Sequence, residues 1–151
     1  MQESVRLAGV VDAMVVAVLL DAFNREFDTP TPGPDLLAPR LAKLLKGAQT
    51  FAVLADTVGV ALVTLRPNVW YDGPVALLDE LYVEPSHRNR GFGTTMLKFI
   101  EDEVRRRGGE VLEINVDGED HDTRRFYERH GYTNTEPGQS EPMFYYYREL
   151  A

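Results

Sequence analysis

Hydrophobic residues follow two kinds of spacing along this chain, one typical of helices and one typical of strands. The positions where the spacing changes predict where each element begins and ends. Apolar residues recur at helical spacing from Val10 to Phe27 and again from Thr94 to Arg107, as on a helix with one buried face. Elsewhere short apolar runs between turn residues, such as the two that flank Asp56-Thr57, are typical of strands.

This pattern predicts four helices and seven strands. The helices are Val10–Phe27, a segment that Asp35 caps and Gly47 stops, Thr94–Arg107 and Asp122–His130. The strands are Val5–Leu7, Thr50–Ala55, Val58–Leu65, Val75–Val83, Val111–Val116, Tyr132–Thr135 and Met143–Arg148. The order β-α-α-β-β-β-α-β-α-β-β is of the α/β (α+β) class, and a chain of 151 residues is expected to form one domain over residues 1–151.

Composition narrows the set of partners. The chain carries 16 Lys+Arg against 24 Asp+Glu, and the formal net charge of −8 opposes nucleic-acid binding and favours cationic small molecules. It has no cysteine, and its longest apolar stretch, Ala13–Leu20, is shorter than the roughly 20 residues of a membrane span. We therefore expect a cytoplasmic protein without a membrane anchor or a nucleic-acid partner, and the sequence leaves a homodimer open.

The junction between the strand ending at Val83 and the following helix is suited to an anion. A helix start offers backbone N–H groups without intrahelical partners and the positive end of the peptide dipoles. Glycines there allow close approach to the backbone. The candidate residues are Arg88, Asn89, Arg90, Gly91, Phe92, Gly93 and Thr94. An ordinary tight turn would use the same glycines, and the segment lacks the fingerprints of dinucleotide and nucleoside triphosphate loops.

Two segments carry a family resemblance. The stretch from Leu78 to Gly93 resembles the acetyl-CoA-binding core of the GNAT N-acetyltransferase superfamily, whose loop reads Gln/Arg-x-x-Gly-x-Gly/Ala. Downstream, Phe126-Tyr127-Glu128-Arg129-His130-Gly131-Tyr132 resembles the Leu/Phe-Tyr-Glu-x-x-Gly-Phe/Tyr segment of that superfamily. The two matches occur in the order the superfamily requires and cover roughly the C-terminal half of the chain.

The resemblance implies a fold and a cofactor. The GNAT fold is a mixed, mostly antiparallel sheet, here of about seven strands flanked by four helices, and it is splayed between strands 4 and 5. The co-substrate would be acetyl-CoA, whose pantetheine arm lies in that gap and bonds main-chain groups near Leu81 and Val83. His121 stands where many members have an asparagine that contacts the arm. No metal is expected.

The chemistry implied is transfer of acetyl from coenzyme A to a primary amine, an acyltransferase reaction. Tyr127 matches the family tyrosine and would act as general acid toward the departing thiolate. Without the resemblance, a core tyrosine whose hydroxyl bonds a neighbouring group would be the favoured interpretation. Asp79 and Glu80 are the candidate bases. Because neighbouring strand residues point to opposite faces, only one of them is expected to face the acceptor, and we favour Glu80. The alternative is that both acids only bind a cationic substrate.

The acceptor is suggested by a weaker resemblance. Segments around Leu20–Asp28, Lys43–Phe51 and Asp117–Asp122 resemble aminoglycoside 3-N-acetyltransferases. An acidic rim would attract a polycationic sugar, and its candidate residues are Glu26, Asp28, Asp117, Asp120 and Asp122. These acids could instead be solvated loop residues. Other acceptors remain open, namely a polyamine, an amino acid or a protein amine, and so does a non-catalytic acyl-CoA-binding role.

Overall fold

The computed structural model of this chain describes residues 4–151, so residues 1–3 of the expected domain lie outside the described part. The chain divides into two compact units, the first ending at Ile114 and the second running from Asn115 to Ala151. The first unit contains the whole sheet and three of the long helices, and the second contains the remaining helix.

The elements follow the predicted order up to the last helix. They are β1 Val5–Leu7, α1 Ala13–Glu26, α2 Pro34–Lys46, β2 Thr50–Ala55, β3 Gly59–Arg66, β4 Val75–Val83, α3 Phe92–Arg106, β5 Val111–Ile114 and α4 His121–Arg129. Short 3-10 turns, Val10–Asp12 and Pro85–His87, precede α1 and follow β4. The bounds predicted from the spacing of hydrophobic residues therefore agree with the observed helices and strands to within a few residues.

The sheet is mixed, with the strand order β1-β2-β3-β4-β5. Three of the four pairings are antiparallel, and β4 and β5 run parallel. The β4–β5 ladder extends only from Val75↔Val111 to Leu78↔Ile114, whereas β4 continues to Val83 against β3. In the described chain, the far half of β4 is thus paired on one side only, and this is the predicted opening between strands 4 and 5.

The predicted strand count was wrong, because the sheet formed by residues 4–151 has five strands and not about seven. The segments Tyr132–Thr135 and Met143–Arg148 are not strands. A backbone hydrogen bond of 2.6 Å from Met143 N–H to Asn134 C=O joins them, but no ladder follows in the part of the chain that the structure describes. Their aromatic residues favour strands, yet propensity alone supplies no partner for the backbone.

The two faces of the sheet pack against different helices. Val60 and Tyr82 belong to one buried cluster with Val16 and Leu19 of α1, so this face lies under α1 and α2. On the opposite face, a Cβ built at Gly59 would lie 3.0 Å from Met96 Sδ, which places α3 directly over β3 there. Met96, Leu97 and Ile100 of α3 are fully buried. The first unit is therefore a three-layer helix–sheet–helix arrangement.

Candidate active site

The loop after β4 turns the chain into α3 through two left-handed residues. Asn89 has φ 62° and Gly91 has φ 86°, and Gly91 is the residue that precedes the helix. A Cβ at Gly91 would meet nothing within 4 Å, so its backbone conformation, rather than lack of space, favours glycine. The helix begins at Phe92, before the predicted start at Thr94, because the buried Phe92 ring anchors the first turn.

The first turn of α3 is electrostatically suited to an anion. Its leading amides belong to Phe92, Gly93 and Thr94, and the turn contains no acidic residue. Arg90 and Asn89 are exposed beside it. Basic residues lie in the last turn instead, where they complement the other end of the helix dipole. The geometry can hold a phosphate group on backbone N–H donors with one mobile cation at the rim.

Arg88 has a different environment from Arg90. Its Nε donates to Val83 O at 2.9 Å, and its Nη1 and Nη2 donate to the Glu26 carboxylate, each at 2.7 Å. The guanidinium also lies 5.6 Å from the centroid of the Tyr82 ring. These bonds raise the pKa of Arg88, mainly through Glu26. The structure thus joins a residue predicted to bind the cofactor to one predicted to bind the acceptor, and the pair fastens α1 to the end of β4.

Asp79 and Glu80 lie on the same face of the sheet, which corrects the prediction of opposite faces. The β3–β4 register shifts between Leu62, which faces Glu80, and Val63, which faces Leu78. Asp79 is therefore the extra residue of a β-bulge, and strict alternation ends there.

Two contacts fix the direction of the acidic pair, Asp79 and Glu80. Thr64 Oγ1 donates to Asp79 Oδ2 at 2.5 Å, and Glu80 pairs across the ladder with Leu62. Thr64 and Leu62 are two residues apart on β3 and so share a face. Leu62 packs against the cluster that includes α1 and α2, so both carboxylates belong to the α1–α2 side of the sheet.

Burial makes both carboxyls more basic than usual, and charge repulsion adds to this effect at Glu80. Burial raises the pKa of Asp79, and the hydrogen bond from Thr64 partly opposes that rise. Burial also raises the pKa of Glu80, and the negative charge of Asp79 raises it further. The two acids are therefore not equivalent, because Asp79 has a donor that stabilises its charge while the charge of Asp79 disfavours ionisation of Glu80.

Sequence reasoning missed two residues that shape this region. Thr64 was one polar position in a predicted strand, and nothing local marked it as the partner of Asp79. Tyr82 stacks on Phe23 of α1, with ring centroids 5.0 Å apart, and carries the Arg88 cation on its ring. A large aromatic between the predicted backbone-binding residues Leu81 and Val83 was a usable signal for Tyr82.

In the second unit, Tyr127 is a buried residue of α4, with 8% of its surface exposed. Its ring lies edge-on to Phe126 and Tyr132, with centroids 5.1 and 5.8 Å away. Burial, and to a lesser degree the charge of Asp120, raises the pKa of Tyr127 well above the ordinary tyrosine value. Its phenol is therefore protonated at neutral pH and can serve as a donor.

The other predicted residues of this unit have structural contacts of their own. Asp120 precedes α4, and its Oδ1 accepts from Thr123 N–H at 3.2 Å, as a helix cap does. Asp122 accepts from Arg125 at 2.5 Å on the helix surface. Asp117 O accepts from Asp120 N–H at 3.0 Å, and His121 is the exposed first residue of α4. These contacts alone account for the positions of Asp120 and Asp122.

Residues 4–151 contain neither a metal-binding cluster nor a membrane-spanning helix. No cluster of three or more His, Cys, Asp or Glu side chains in this range has the geometry of a metal site. None of the helices described there has the length and apolarity needed to cross a bilayer.

The chain is similar to known acetyltransferases in both sequence and fold. The sequence matches the acetyltransferase (GNAT) family over residues 16–132. A solved structure from Arthrobacter sp. FB24, assigned as an acetyltransferase, is 55% identical with a TM-score of 0.93 and covers 99% of this chain and 97% of that chain.

Two further proteins are more distant. An aminoglycoside acetyltransferase from an uncultured soil metagenomic sample, solved with sisomicin, has a TM-score of 0.78 over 99% of this chain and 97% of that chain. At 17% identity it shows the shared fold alone. Aminoalkylphosphonate N-acetyltransferase of Salmonella typhimurium strain LT2 is 29% identical over 77 residues, which are 51% of this chain. The match spans only 50% of that relative's length.

Proposed function

The chain belongs to the acetyltransferase (GNAT) family, and we propose that it transfers acetyl from acetyl-CoA to a primary amine of a small cationic acceptor. One observation carries the proposal: the bulge at Asp79 turns two carboxylates to the same face of the sheet. Paired negative charge of this kind attracts an alkylammonium group and can also remove its proton.

We assign cofactor binding to the α3 start and the half-open edge of β4. The pyrophosphate would accept hydrogen bonds from the first-turn amides at Phe92, Gly93 and Thr94, with Arg90 and Asn89 at the rim. Main-chain groups near Leu81 and Val83 would bind the pantetheine arm, since β5 does not pair with that part of β4. Arg88 acts indirectly in this proposal, because Glu26 and Val83 already occupy its guanidinium.

The reaction requires the acceptor to lose a proton before it attacks. An ammonium nitrogen has no lone pair, so a base must free one. The nitrogen then forms a C–N bond with the acetyl carbonyl carbon, the C–S bond breaks, and the thiolate of coenzyme A is protonated. We assign proton removal to Glu80, since burial and the charge of Asp79 raise its pKa, which favours its acceptance of a proton.

Asp79 and Tyr127 have complementary proposed roles. Asp79, whose carboxylate accepts a hydrogen bond from Thr64, would bind the positive charge of the acceptor. Tyr127 would donate a hydrogen bond to the departing thiolate, which suits a phenol that burial keeps protonated. His121 would contact the pantetheine arm from the first position of α4.

Within this class we favour a polycation such as an aminoglycoside or a polyamine. An aminoalkylphosphonate carries an anionic group that two carboxylates would repel, so the acidic pair argues against that acceptor. The wider rim of Glu26, Asp28, Asp117, Asp120 and Asp122 is a weaker support. Three of these acids already contact protein groups, through Arg88, Thr123 N–H and Arg125, so we rank the acidic pair above the rim.

The direct test is thiol release from acetyl-CoA across a panel of amines. We expect turnover with an aminoglycoside or a polyamine, and little with an aminoalkylphosphonate or a peptide N-terminus. Binding of acetyl-CoA without thiol release for any amine would instead indicate a non-catalytic acyl-CoA-binding protein. Preference for the aminoalkylphosphonate would overturn the polycation assignment.

Tyr127→Phe tests the proposed acid. It keeps the buried ring but removes the donor, so kcat should fall by roughly 10²-fold. The affinity for acetyl-CoA should be unchanged in calorimetry. Phe126→Leu is the matched control for ring packing beside Tyr127 and should leave kcat within a few-fold of native. Native turnover by Tyr127→Phe would remove this residue from the mechanism.

A further inference from the structure

Glu26 lies at the C-terminal end of α1, and its carboxylate binds the loop after β4. Its two oxygens each accept a hydrogen bond of 2.7 Å from Arg88, which is 62 residues away along the chain. The side chains of Glu26 and Arg88 are 27% and 37% exposed. A bidentate pair of this kind fixes the plane of the guanidinium as well as its position. Glu26 therefore determines where the side chain of Arg88 points.

The third hydrogen bond of Arg88 lies at the open edge of β4. Glu84 N–H donates to Val58 O at 2.8 Å, so the backbone groups of Glu84 face the side of β3. Because successive residues of a strand direct their N–H and C=O groups to alternate edges, those of Val83 face the other way. Within residues 4–151, this is the edge where β5 pairs only as far as Leu78. Arg88 Nε donates to Val83 O there at 2.9 Å.

Arg88 thus connects the two parts of the proposed acetyl-CoA site. Val83 belongs to the half-open edge of β4, and Arg88 begins the loop that leads into α3. The turn Pro85–His87 lies between them. A carbonyl oxygen has two lone pairs, so Val83 O can accept a hydrogen bond from Arg88 and still bind a ligand. The contact therefore orders the edge and the loop without closing the edge.

We propose that Glu26 is a positioning residue for acetyl-CoA: it holds the Arg88 side chain on Val83 O, and this contact keeps the open edge of β4 and the start of α3 in one arrangement before the ligand binds. The inference rests on the acetyl-CoA site of the proposed function, and it moves Glu26 out of the acceptor rim. Binding is tighter when the site is ordered beforehand, since the ligand does not have to supply that ordering.

Stability alone does not account for the pair of Glu26 and Arg88. The stacked rings of Phe23 and Tyr82, with centroids 5.0 Å apart, already join α1 to β4, and partly exposed ion pairs contribute little to stability. Glu26 also places a negative charge near a loop suited to an anion, and that charge by itself opposes acetyl-CoA binding. Loss of Glu26 should therefore strengthen binding if only its charge matters, and weaken binding if it positions Arg88.

The first test measures acetyl-CoA affinity by isothermal titration calorimetry. Glu26→Gln should weaken binding roughly tenfold, as for loss of a hydrogen bond to a charged group. Glu84→Gln is the matched control, because it removes one negative charge beside Val83 but no bond to Arg88, and its affinity should not fall. Equal or tighter binding by a folded Glu26→Gln variant would overturn the proposal.

A double-mutant cycle shows whether Glu26 acts through Arg88. In an Arg88→Gln background, Glu26→Gln should cause no further loss of acetyl-CoA affinity. Arg88→Lys keeps the positive charge but cannot bond Val83 O and both Glu26 oxygens at once, so it should bind as weakly as Glu26→Gln. Additive losses in the cycle, or native affinity for Arg88→Lys, would contradict the positioning role.

These measurements separate this inference from the proposed function. Unchanged acetyl-CoA affinity together with a higher KM for a polycation would place Glu26 in the acceptor rim, which contradicts the inference alone. The binding assays contain no acceptor amine, so they test Glu26 even if the polycation assignment fails. No binding of acetyl-CoA by the native protein would instead refute the proposed function, and the inference with it.

Discussion

The loop from Arg88 to Gly93 and the acidic pair are close in sequence, but different interactions determine their geometry. The loop is built from local features: left-handed residues at Asn89 and Gly91, then a helix start at Phe92. The acidic pair owes its direction to β3, because a register shift and the bond from Thr64 turn both carboxylates to one face. Local chemistry thus determines the proposed cofactor end, and strand pairing determines the proposed acceptor end.

The loop and the acidic pair also differ in what their proposed functions require of the side chains. Phosphate binding by backbone N–H groups needs only a correctly shaped loop, and side chains there can vary if the glycines remain. Recognition and deprotonation of an amine need charged side chains that point the right way and have shifted pKa values. Mutations in the loop should therefore act on acetyl-CoA affinity, and mutations around the bulge should act on turnover.

The largest expected effect is at Gly93. Gly93→Asp places a negative charge in the first turn of α3, so acetyl-CoA affinity should fall by roughly 100-fold or more, given the strength of charge-assisted bonds to an anion. Isothermal titration calorimetry measures this directly. Gly93→Asn has nearly the same shape without the charge, so the difference in affinity between the two variants isolates the effect of the charge from that of losing the glycine. If the folded Asp variant binds acetyl-CoA like the native protein, the pyrophosphate does not lie here.

Glu80→Gln should come next. Removing the proposed base should lower kcat by about 10²-fold, a typical contribution of general base catalysis, with acetyl-CoA affinity unchanged. Steady-state kinetics with a saturating amine measures the loss. If the variant has the native kcat, Glu80 is not the general base.

Asp79→Asn is the control for the electrostatics of the pair. It removes the negative charge that raises the pKa of Glu80, so the acidic limb of the kcat/KM profile should move to lower pH. An unmoved limb would show that the two carboxyls do not interact.

The stability of Glu80→Gln gives an independent check. Because the folded-state pKa of Glu80 is raised, its ionisation destabilises the folded protein as the pH rises from the unfolded-state pKa through the folded-state pKa. Glu80→Gln should therefore raise Tm at pH values above that range and leave Tm unchanged below it.

A smaller loss is expected at Thr64. Thr64→Val keeps the shape but leaves Asp79 without its donor, so kcat/KM for the cationic acceptor should fall roughly tenfold, as for loss of a hydrogen bond to a charged group. Thr64→Ser should restore the activity, which a simple packing role would not predict. Identical kinetics for the valine and serine variants would exclude Thr64 as a positioning residue.

The smallest effect concerns the acidic rim. Asp120→Asn/Asp122→Asn should lower kcat/KM for a polycation only a few-fold, and added salt should reproduce that loss, because exposed charges are screened over about 10 Å at 0.1 M. Asparagine still caps α4, so the fold should be kept. The test is kcat/KM at two salt concentrations against a neutral acceptor. A loss as large as that of Glu80→Gln would make the rim, and not the acidic pair, the main recognition element.

By itself, the sequence determined the elements whose signals are local. Apolar periods located α1 through α4 and β1 through β5, and the glycine pattern located the turn into α3. These predictions succeeded because side-chain spacing and glycine conformation act within a few residues. The closing strands were predicted by the same reasoning and were wrong, because a strand also requires a partner that composition cannot name.

The tertiary structure alone decided which side chains meet. Thr64 and Asp79 are 15 residues apart, and Glu26 and Arg88 are 62 apart. No periodicity in the sequence connects such distant positions. On β4, the assumption of strict alternation predicted the wrong face for one of the two acids, because the β-bulge depends on the pairing with β3. Register is set by how two strands pack over a shared core, so the direction and basicity of the acidic pair depend on the folded sheet and not on the strand that carries it.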